Sequence, residues 1–180
     1  MTTNKEIEFK TFITKEKYEE LLDAFDLANN VFPQTNYYFD TDNEDVIKNK
    51  SVLRIRQKGD KFKLTLKSHA EVGADETHII LTKDQALEML QNGFDASMIG
   101  FPKFVHKIAE LTTYRVSTPY KNGTIFFDRS EYYGHIDYEI EYEVDYVEQG
   151  KIDFNSFLEE YNVPFKESIR KSKRAYTNRK

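Results

Sequence analysis

The sequence predicts an α+β protein built on an antiparallel sheet, and three observations support that class. Several segments alternate strictly between charged and apolar residues, most clearly Asp137–Asp145, and this pattern is typical of strands with one packed face and one wet face. Tight-turn signals such as Asn122-Gly123 separate some of these segments, as expected for β-hairpins. Between them, other segments carry apolar residues at helical spacing, which predicts amphipathic helices.

The predicted strands account for much of the chain. They are Glu6–Lys10, Gln34–Asp40, Ser51–Gln57, Lys61–Lys67, Glu76–Leu81, Lys103–Ala109, Glu110–Thr118, Thr124–Asp128 and Asp137–Asp145. Gly59-Asp60 and Gly134 mark turns between neighbouring strands. The residues from Thr41 to Lys50 are predicted to form a charged connection.

Capping residues locate the predicted helices. Thr14 caps a helix that runs through Phe25, and Thr82 with Gln85 forms a capping box for a second helix that ends at Gly93. The remaining helical predictions are a short turn over Asp95–Ile99 and a helix capped by Asp153. The apolar stripes of the long helices are predicted to pack on the apolar face of the sheet.

Composition narrows the classes of function. The chain has 180 residues, which predicts one domain over residues 1–180, with two small domains as the alternative. Its net charge of −5 argues against a nucleic-acid partner, and the lack of cysteine excludes disulfide and thiolate chemistry. No apolar run reaches the length of a membrane span, and the first residues are polar. We therefore expect a cytoplasmic protein, monomeric or homodimeric, without a membrane partner.

The charged faces of the predicted strands separate by sign. Arg54 and Arg56 make one face cationic, the lysines of Lys61–Lys67 make a second one cationic, and Glu139–Glu143 carries only acids. Like charges about 7 Å apart on one strand repel by up to roughly 2 kcal/mol per pair at an intermediate dielectric. A row of this kind inside a pocket would need a compensating ion. A polyanion together with a divalent metal would suit both signs.

Two architectures fit the alternation. In the first, helices cover the apolar face of a sheet whose charged face meets bulk water. In the second, the sheet closes into a barrel with a polar interior, and helices cover its apolar outer faces. The separation of signs favours the second architecture, because a face that is merely solvated usually mixes its charges.

The opening strand Glu6–Lys10 carries two carboxylates and an ammonium on one face, since alternate residues share a side of a strand. At roughly 6–7 Å between alternate residues, Glu6 and Glu8 could hold one divalent cation, for which oxygen ligands are preferred. An ordinary amphipathic edge strand is the alternative interpretation.

A series of motifs continues from the E-x-E-x-K pattern of Glu6, Glu8 and Lys10. The later motifs are Asn36–Asp40, Leu53–Arg56, Leu64–Lys67, Arg115, Asp128, Glu139–Glu141 and Lys171–Lys173. In this order they resemble the CYTH family, also called triphosphate tunnel metalloenzymes, and most closely its small Gram-positive bacterial members. The resemblance covers nearly the whole chain. It implies an antiparallel eight-stranded β-barrel, a tunnel with a polar interior flanked by helices, and a basic final helix that brings Lys173 to the phosphates.

The resemblance also implies a role for each of these side chains. The implied phosphate ligands are Lys10, Arg54, Arg56, Lys63, Lys67, Arg115, Lys171 and Lys173. The implied ligands of Mg²⁺ or Mn²⁺ are Glu6, Glu8, Asp128, Glu139, Glu141 and Glu143. The implied catalytic residues are Glu6, Glu8, Lys10, Glu139 and Glu141. Which pair of the three glutamates in the 139–143 row binds metal, and which of the two terminal lysines binds phosphate, stays open.

The functional prediction is metal-dependent hydrolysis of a triphosphate, with inorganic tripolyphosphate as the favoured small-molecule substrate. Hydrolysis of thiamine triphosphate and class IV-type adenylate cyclisation are alternatives, because relatives use the same barrel for both. A non-catalytic polyphosphate- or nucleotide-binding module is a further alternative, although a pure anion binder would gain nothing from carboxylates in its pocket. The four histidines show no ligand spacing and are predicted to serve surface or packing roles.

Overall fold

The computed structural model describes residues 1–179, which contain nine strands and five α-helices. The strands are β1 Thr2–Ile13, β2 Phe32–Asp40, β3 Ser51–Lys58, β4 Lys61–His69, β5 Ala74–Leu81, β6 Phe94–Asp95, β7 Phe104–Tyr120, β8 Gly123–Tyr132 and β9 His135–Val144. The helices are α1 Lys15–Ala24, α2 Asp45–Lys48, α3 Lys83–Asn92, α4 Val147–Glu160 and α5 Lys171–Asn178. Two short 3₁₀ turns cover Ala28–Asn30 and Ala96–Ile99.

The strands form a closed antiparallel barrel. Hydrogen bonds join them in the order β2-β3-β4-β5-β1-β9-β8-β7-β6, and β2 also pairs with β7. This second pairing closes eight strands on themselves and leaves β6 as an extra strand on β7. The predicted α+β class and eight-stranded antiparallel barrel are confirmed. Among residues 1–179, every helix is too short or too polar to cross a membrane.

Local sequence signals set the turns and the helix starts. The turn between β3 and β4 holds Gly59 at a φ of 58°, a left-handed conformation that glycine adopts without strain. Thr14 accepts a hydrogen bond from the backbone N–H of Lys17 at the start of α1. Thr82 and Gln85 form the predicted capping box at the start of α3. These caps and the turns at Gly59-Asp60 and Gly134 are therefore confirmed. The hairpin predicted from Asn122-Gly123 is also present, but its turn lies one residue earlier, at Lys121 and Asn122, and Gly123 begins β8.

The chain forms two compact units, and each is assembled from separate segments. The first unit contains Met1–Lys5, Gln34–Thr112 and the segment that begins at Lys171. The second unit contains Glu6–Pro33 and Thr113–Arg170. The single domain over residues 1–180 stays a prediction.

In the second unit, aromatic side chains of α1 and α4 pack on the apolar face of β8 and β9. Phe157 of α4 is fully buried, and its ring centroid lies 6.3 Å from that of Phe127 on β8. Ile140 and Tyr142 of β9 are fully buried in the same core, together with Leu21 of α1. The predicted helical stripes thus cover the apolar side of these strands.

The charged side of β9 is buried as well. Glu139 is 1 % exposed and Glu141 is 8 % exposed, although both belong to the acidic row. The architecture in which this face simply meets bulk water is therefore wrong for this part of β9. Burial on both faces is what the closed-barrel alternative predicted.

In the first unit, β2, β3 and β4 supply a core that is closed by short helices. Phe39, Leu53, Ile55 and Leu64 are fully buried in one cluster. The Ala86 side chain of α3 is fully buried in the same cluster. The alternation of these strands therefore places their apolar residues on one packed side, as predicted.

The segment from Thr41 to Lys50 holds a helix that the sequence reading missed. Asp40 is fully buried at the end of β2, and its carboxylate accepts hydrogen bonds from the backbone N–H groups of Thr41, Val46 and Ile47. These bonds satisfy free N–H groups at the start of α2. The helix has four residues, which is too short for its apolar spacing to reveal it.

Two predicted boundaries are wrong. The segments Lys103–Ala109 and Glu110–Thr118 form one 17-residue strand, β7. Buried positions on β7 are odd-numbered as far as Thr113 and then shift to Val116, while the backbone stays extended. The predicted break between Ala109 and Glu110 thus falls where the odd-numbered pattern of burial continues without interruption.

The other wrong boundary is the start of α4, because Asp153 lies inside this helix and does not cap it. The helix begins at Val147, and its N-cap residue Tyr146 makes no side-chain capping bond. Asp153 is 3 % exposed and accepts a hydrogen bond from Gln149 Nε2 at 2.9 Å. Gly150 within the first turns permits close packing, since a Cβ there would lie 2.5 Å from Val144 Cγ2.

Replacement of Phe157 by alanine is expected to lower the free energy of unfolding by about 3–5 kcal/mol, because the cavity it leaves lies in a fully packed aromatic core. Urea denaturation followed by circular dichroism measures the change. Phe165 is 65 % exposed, so Phe165→Ala is the matched control and should change stability by no more than about 0.5 kcal/mol. Equal losses in the two variants would contradict this assignment of the core.

Candidate functional site

Three buried carboxylates meet in the second unit, and we call Asp128, Glu139 and Glu141 the acid cluster. Each offers an oxygen, and these oxygens all lie within 4.8 Å of one another. The strand register explains the meeting, because Asp128 of β8 pairs directly with Glu139 of β9 and Phe126 pairs with Glu141. A set of three carboxylate oxygens suits a hard divalent cation such as Mg²⁺ or Mn²⁺. The acid cluster could therefore hold a metal ion.

Arg115 of β7 contacts two carboxylates of the acid cluster, those of Asp128 and Glu141. Its Nε donates to Asp128 Oδ1 at 2.7 Å and its Nη2 donates to Asp128 Oδ2 at 2.6 Å. Nη2 also donates to Glu141 Oε2. Burial alone would lower the pKa of Arg115, but the charges of Asp128 and Glu141 raise that pKa above its ordinary value. The bidentate geometry fixes the orientation of Asp128 and places a positive charge against the acid cluster.

The opening strand lies beside the acid-bearing strand. In the β1–β9 register, Lys10 is opposite Glu141 and Glu8 is opposite Glu143. Lys10 Nζ donates to Glu8 Oε1 at 3.2 Å, and both side chains are roughly a fifth to a quarter exposed, at 21 % and 24 %. Glu6 is half-buried on the same strand. The E-x-E-x-K motif therefore lies next to the acidic row, as the sequence reading required for a shared metal site.

The acidic row itself divides into buried and exposed members. Glu139 accepts a hydrogen bond from the Ser168 hydroxyl at 3.2 Å and belongs to the acid cluster with Glu141. Glu143 is exposed and is not one of the three clustered carboxylates. The geometry therefore favours Glu139 and Glu141 over Glu143 as the pair that the sequence alone left open.

Four cationic side chains line neighbouring strands of the first unit, and we call Arg54, Arg56, Lys63 and Lys67 the cation cluster. Arg56 of β3 pairs with Lys63 of β4 in the strand register. Arg56 Nε donates to Asn36 Oδ1 at 2.9 Å, which orients the guanidinium. All four side chains are half-buried, so they combine a fixed position with access for a ligand.

Two residues of β5 belong to this region and were missed as site residues. Glu76 is opposite Lys67 and His78 is opposite Thr65 in the β4–β5 register. Glu76 Oε1 lies 3.7 Å from Lys67 Nζ, and Glu76 Oε2 lies 3.3 Å from His78 Nε2. Burial lowers the pKa of His78, with a further contribution from the nearby charge of Lys63. The shared parity of Glu76 and His78 was visible in the sequence, but their strand partners were not.

The two terminal lysines differ in their surroundings within the first unit. Lys171 is half-buried at the start of α5. Burial raises the pKa of Tyr38, and the positive charge of Lys171 opposes part of this rise. Lys173 is exposed on the same helix. The predicted final helix is present, and the ring of its Tyr176 lies 5.6 Å from that of Tyr38. Burial therefore favours Lys171 over Lys173 as the lysine held in a fixed place.

Comparison with known protein families identifies the family of this chain. A family model described as the CYTH domain matches residues 4–176. The chain belongs to the CYTH domain family. The resemblance identified from the motifs is confirmed by this match, which spans nearly the whole sequence.

Individual relatives of this CYTH protein agree with the family match. The chain is 32 % identical over 191 aligned residues to a Bacillus subtilis protein named "Putative triphosphatase YjbK", covering 100 % of this chain and 98 % of the relative. It is 30 % identical to a crystal structure from Bacillus halodurans named a "putative adenylate cyclase", with a TM-score of 0.88 and coverage of 97 % and 98 %.

A more distant structure supports the fold alone. It is a Hippeastrum protein named a "Putative adenylyl cyclase", with 23 % identity, a TM-score of 0.74, and coverage of 96 % of this chain and 95 % of that one.

The lowered pKa of His78 predicts a pH-dependent stability of this CYTH protein. Below pH 6.5, the ordinary histidine pKa, the unfolded chain takes up a proton that folded His78 resists. The free energy of unfolding therefore falls as the pH drops from 6.5 toward the lower folded pKa. His78→Gln should flatten this part of the curve, measured by urea denaturation at a series of pH values.

His135 is exposed, so His135→Gln provides the control and should keep the wild-type slope. A His78→Gln protein whose stability still falls as steeply as that of the wild type would show that another group causes the pH dependence.

Proposed function

We propose that this CYTH protein hydrolyses a triphosphate, with inorganic tripolyphosphate as its substrate and Mg²⁺ or Mn²⁺ as its cofactor. The observation that carries the proposal is the acid cluster, in a chain that is 32 % identical over its full length to a protein named "Putative triphosphatase YjbK". A site for phosphoryl transfer needs cations for the phosphate oxygens and carboxylates for a metal ion. The chain has a group of each kind.

In this proposal the cationic side chains bind the phosphates. The assigned ligands are Lys10, Arg54, Arg56, Lys63, Lys67, Lys171 and Lys173. Guanidinium groups bind phosphate oxygens in pairs and spread the charge that develops on the transferred phosphoryl group. Arg115 was predicted as a phosphate ligand from the sequence, and its bonds to Asp128 and Glu141 support a role in holding those carboxylates.

The carboxylates hold the metal ion in this proposal. Asp128, Glu139 and Glu141 are the central ligands, because they are buried together, and Glu6 and Glu8 contribute from β1. When bound, the ion would neutralise phosphate charge and make water a better nucleophile. Ser168 donates to Glu139 Oε2 and Arg115 donates to Asp128, so these carboxylates are oriented before any ligand arrives.

In this proposal the side chains have two tasks in the reaction: they position the reacting groups and they accept a proton. Water attacks the terminal phosphorus, the bond from this phosphorus to the bridging oxygen breaks, and orthophosphate and pyrophosphate leave. Glu6, Glu8, Glu139 and Glu141 hold the nucleophile in line and are the groups available to accept its proton. Lys10 lies opposite Glu141 and is assigned to the negative charge of the substrate.

Adenylate cyclisation is the second candidate, because the chain is also 30 % identical to a crystal structure named a putative adenylate cyclase. That reaction would attack the α-phosphorus of ATP with its own 3′-hydroxyl and release pyrophosphate. The two candidates therefore differ in product as well as substrate, since only the cyclase forms a cyclic nucleotide.

We expect the purified protein to release phosphate from tripolyphosphate in the presence of Mg²⁺ or Mn²⁺. Tripolyphosphate, thiamine triphosphate and ATP should be tested in parallel, each with Mg²⁺, with Mn²⁺ and with a chelator, and cyclic AMP should be assayed in the ATP reactions. Release from tripolyphosphate should exceed that from the other two and stop with the chelator. A preference for thiamine triphosphate, or formation of cyclic AMP, would overturn the assignment of substrate.

Two glutamates of one strand provide a matched test of the metal ligands. Glu141→Gln should lower the affinity for Mn²⁺ by about 10- to 100-fold or more, because a buried carboxylate ligand is lost. Glu143→Gln should bind Mn²⁺ nearly as the wild type does, since Glu143 is exposed and outside the acid cluster. Mn²⁺ binding is measured directly by electron paramagnetic resonance of the free ion. A larger loss of Mn²⁺ affinity in Glu143→Gln than in Glu141→Gln would place the metal site closer to Glu143 on β9.

A further inference from the structure

A buried carboxylate, that of Glu76, lies beside the cation cluster of the first unit. A site that serves only to attract anions would not need it. Glu76 is 5 % exposed, and its Oε1 lies 3.7 Å from Arg54 Nη2 and 3.7 Å from Lys67 Nζ. Both distances are longer than a hydrogen bond. A site that only collected negative charge would be weakened by this carboxylate, because it repels the anion that the cations attract.

Two buried atoms in this region make no hydrogen bond to any of residues 1–179. One is Glu76 Oε1, an acceptor, and the other is Arg54 Nε, a donor. Burying a polar atom without a hydrogen-bond partner destabilises the folded protein. A ligand that brings one hydrogen-bond donor and several acceptors would satisfy both atoms.

The second oxygen of Glu76 is held from the opposite direction. Glu76 Oε2 lies 3.3 Å from His78 Nε2, and His78 Nδ1 lies 3.0 Å from Thr65 Oγ1. With the Thr65 hydroxyl donating to Nδ1, the single N–H of a neutral ring lies on Nε2 and points to Glu76. This chain of contacts orients the carboxylate and leaves Oε1 facing Arg54 and Lys67.

We propose that Glu76 makes the cation cluster selective for a phosphate group that carries a proton, over a tetrahedral anion that carries none. The P–O–H of a hydrogen phosphate or of a protonated terminal phosphate donates to Glu76 Oε1, while its other oxygens accept from Arg54 and Lys67. Sulfate has the same shape but brings no proton. Its oxygen would face the carboxylate oxygen, and a site built for a donor rejects an analogue that lacks it.

The inference rests on the proposed function and deepens it. It names the phosphate form that the triphosphatase would accept at this group of residues, a terminal phosphate with one proton. An ionised carboxylate can only accept hydrogen bonds, so the selectivity depends on the negative charge of Glu76 and not on its size.

The test is calorimetric titration of the full chain with inorganic phosphate and with sulfate, without metal, at about pH 6, where phosphate groups keep a proton. The wild type is expected to bind phosphate at least about tenfold more tightly than sulfate. Glu76→Gln should bring the ratio close to one, because the amide can donate to sulfate. Asp75→Asn is the matched control, since Asp75 is the exposed neighbour on the same strand, and it should keep the wild-type ratio.

Three results would overturn the inference: equal binding of the two anions by the wild type, no binding of either, or an unchanged ratio in Glu76→Gln. Circular dichroism shows whether Glu76→Gln is folded. If this variant does not fold, the ratio of phosphate to sulfate affinity in the wild type still tests the inference. Hydrolysis of tripolyphosphate is measured on the same samples. Hydrolysis without anion selectivity would refute only the role of Glu76, whereas selectivity without hydrolysis would refute the triphosphatase and leave the phosphate site.

Discussion

The second unit depends on keeping three carboxylates buried within 4.8 Å of one another. Burying a charge is expensive unless it is paired and hydrogen-bonded, and Arg115 supplies both to Asp128 and Glu141. Because these partners come from β7, β8 and β9, their pairing also constrains the register of the three strands. A slip of one residue would turn each carboxylate toward the helices and each apolar residue away from them. Charge pairing and apolar packing therefore demand the same alignment.

Alternation of residues predicted most of the fold because side-chain direction on a strand follows directly from sequence position. The strand β7 was nevertheless divided wrongly between Ala109 and Glu110, although odd-numbered positions stay buried across this point in one extended strand. Capping rules succeeded at Thr14 and Thr82, whose side chains bond to the helix backbone. They failed at Asp153, since α4 starts without a capping side chain and a buried acid inside it looked like a start signal.

The types of residue in the candidate site could be predicted from the sequence, but the contacts between them could be predicted less well. The sequence supplied the acids and cations by motif, but which of them meet depends on register and on helix rotation. Asp128 pairs with Glu139 because of the β8–β9 hairpin, and Glu76 joins Lys67 because of the β4–β5 pairing. Histidine spacing predicted only packing or surface roles, whereas His78 lies beside Glu76 on alternate positions of β5. The contacts of an isolated residue such as His78 can be identified only when the pairing of the strands is known.

The division of each unit into separate segments has a consequence for how the protein is made. The first unit draws on Met1–Lys5, on Gln34–Thr112 and on the chain from Lys171, and the second is interrupted between Pro33 and Thr113. A ribosome delivers these segments in order, so the earliest residues must wait for the last helix before their unit is complete. Neither unit corresponds to an uninterrupted stretch of the gene. A single crossover at any point between Glu6 and Arg170 would therefore draw parts of each unit from different parents.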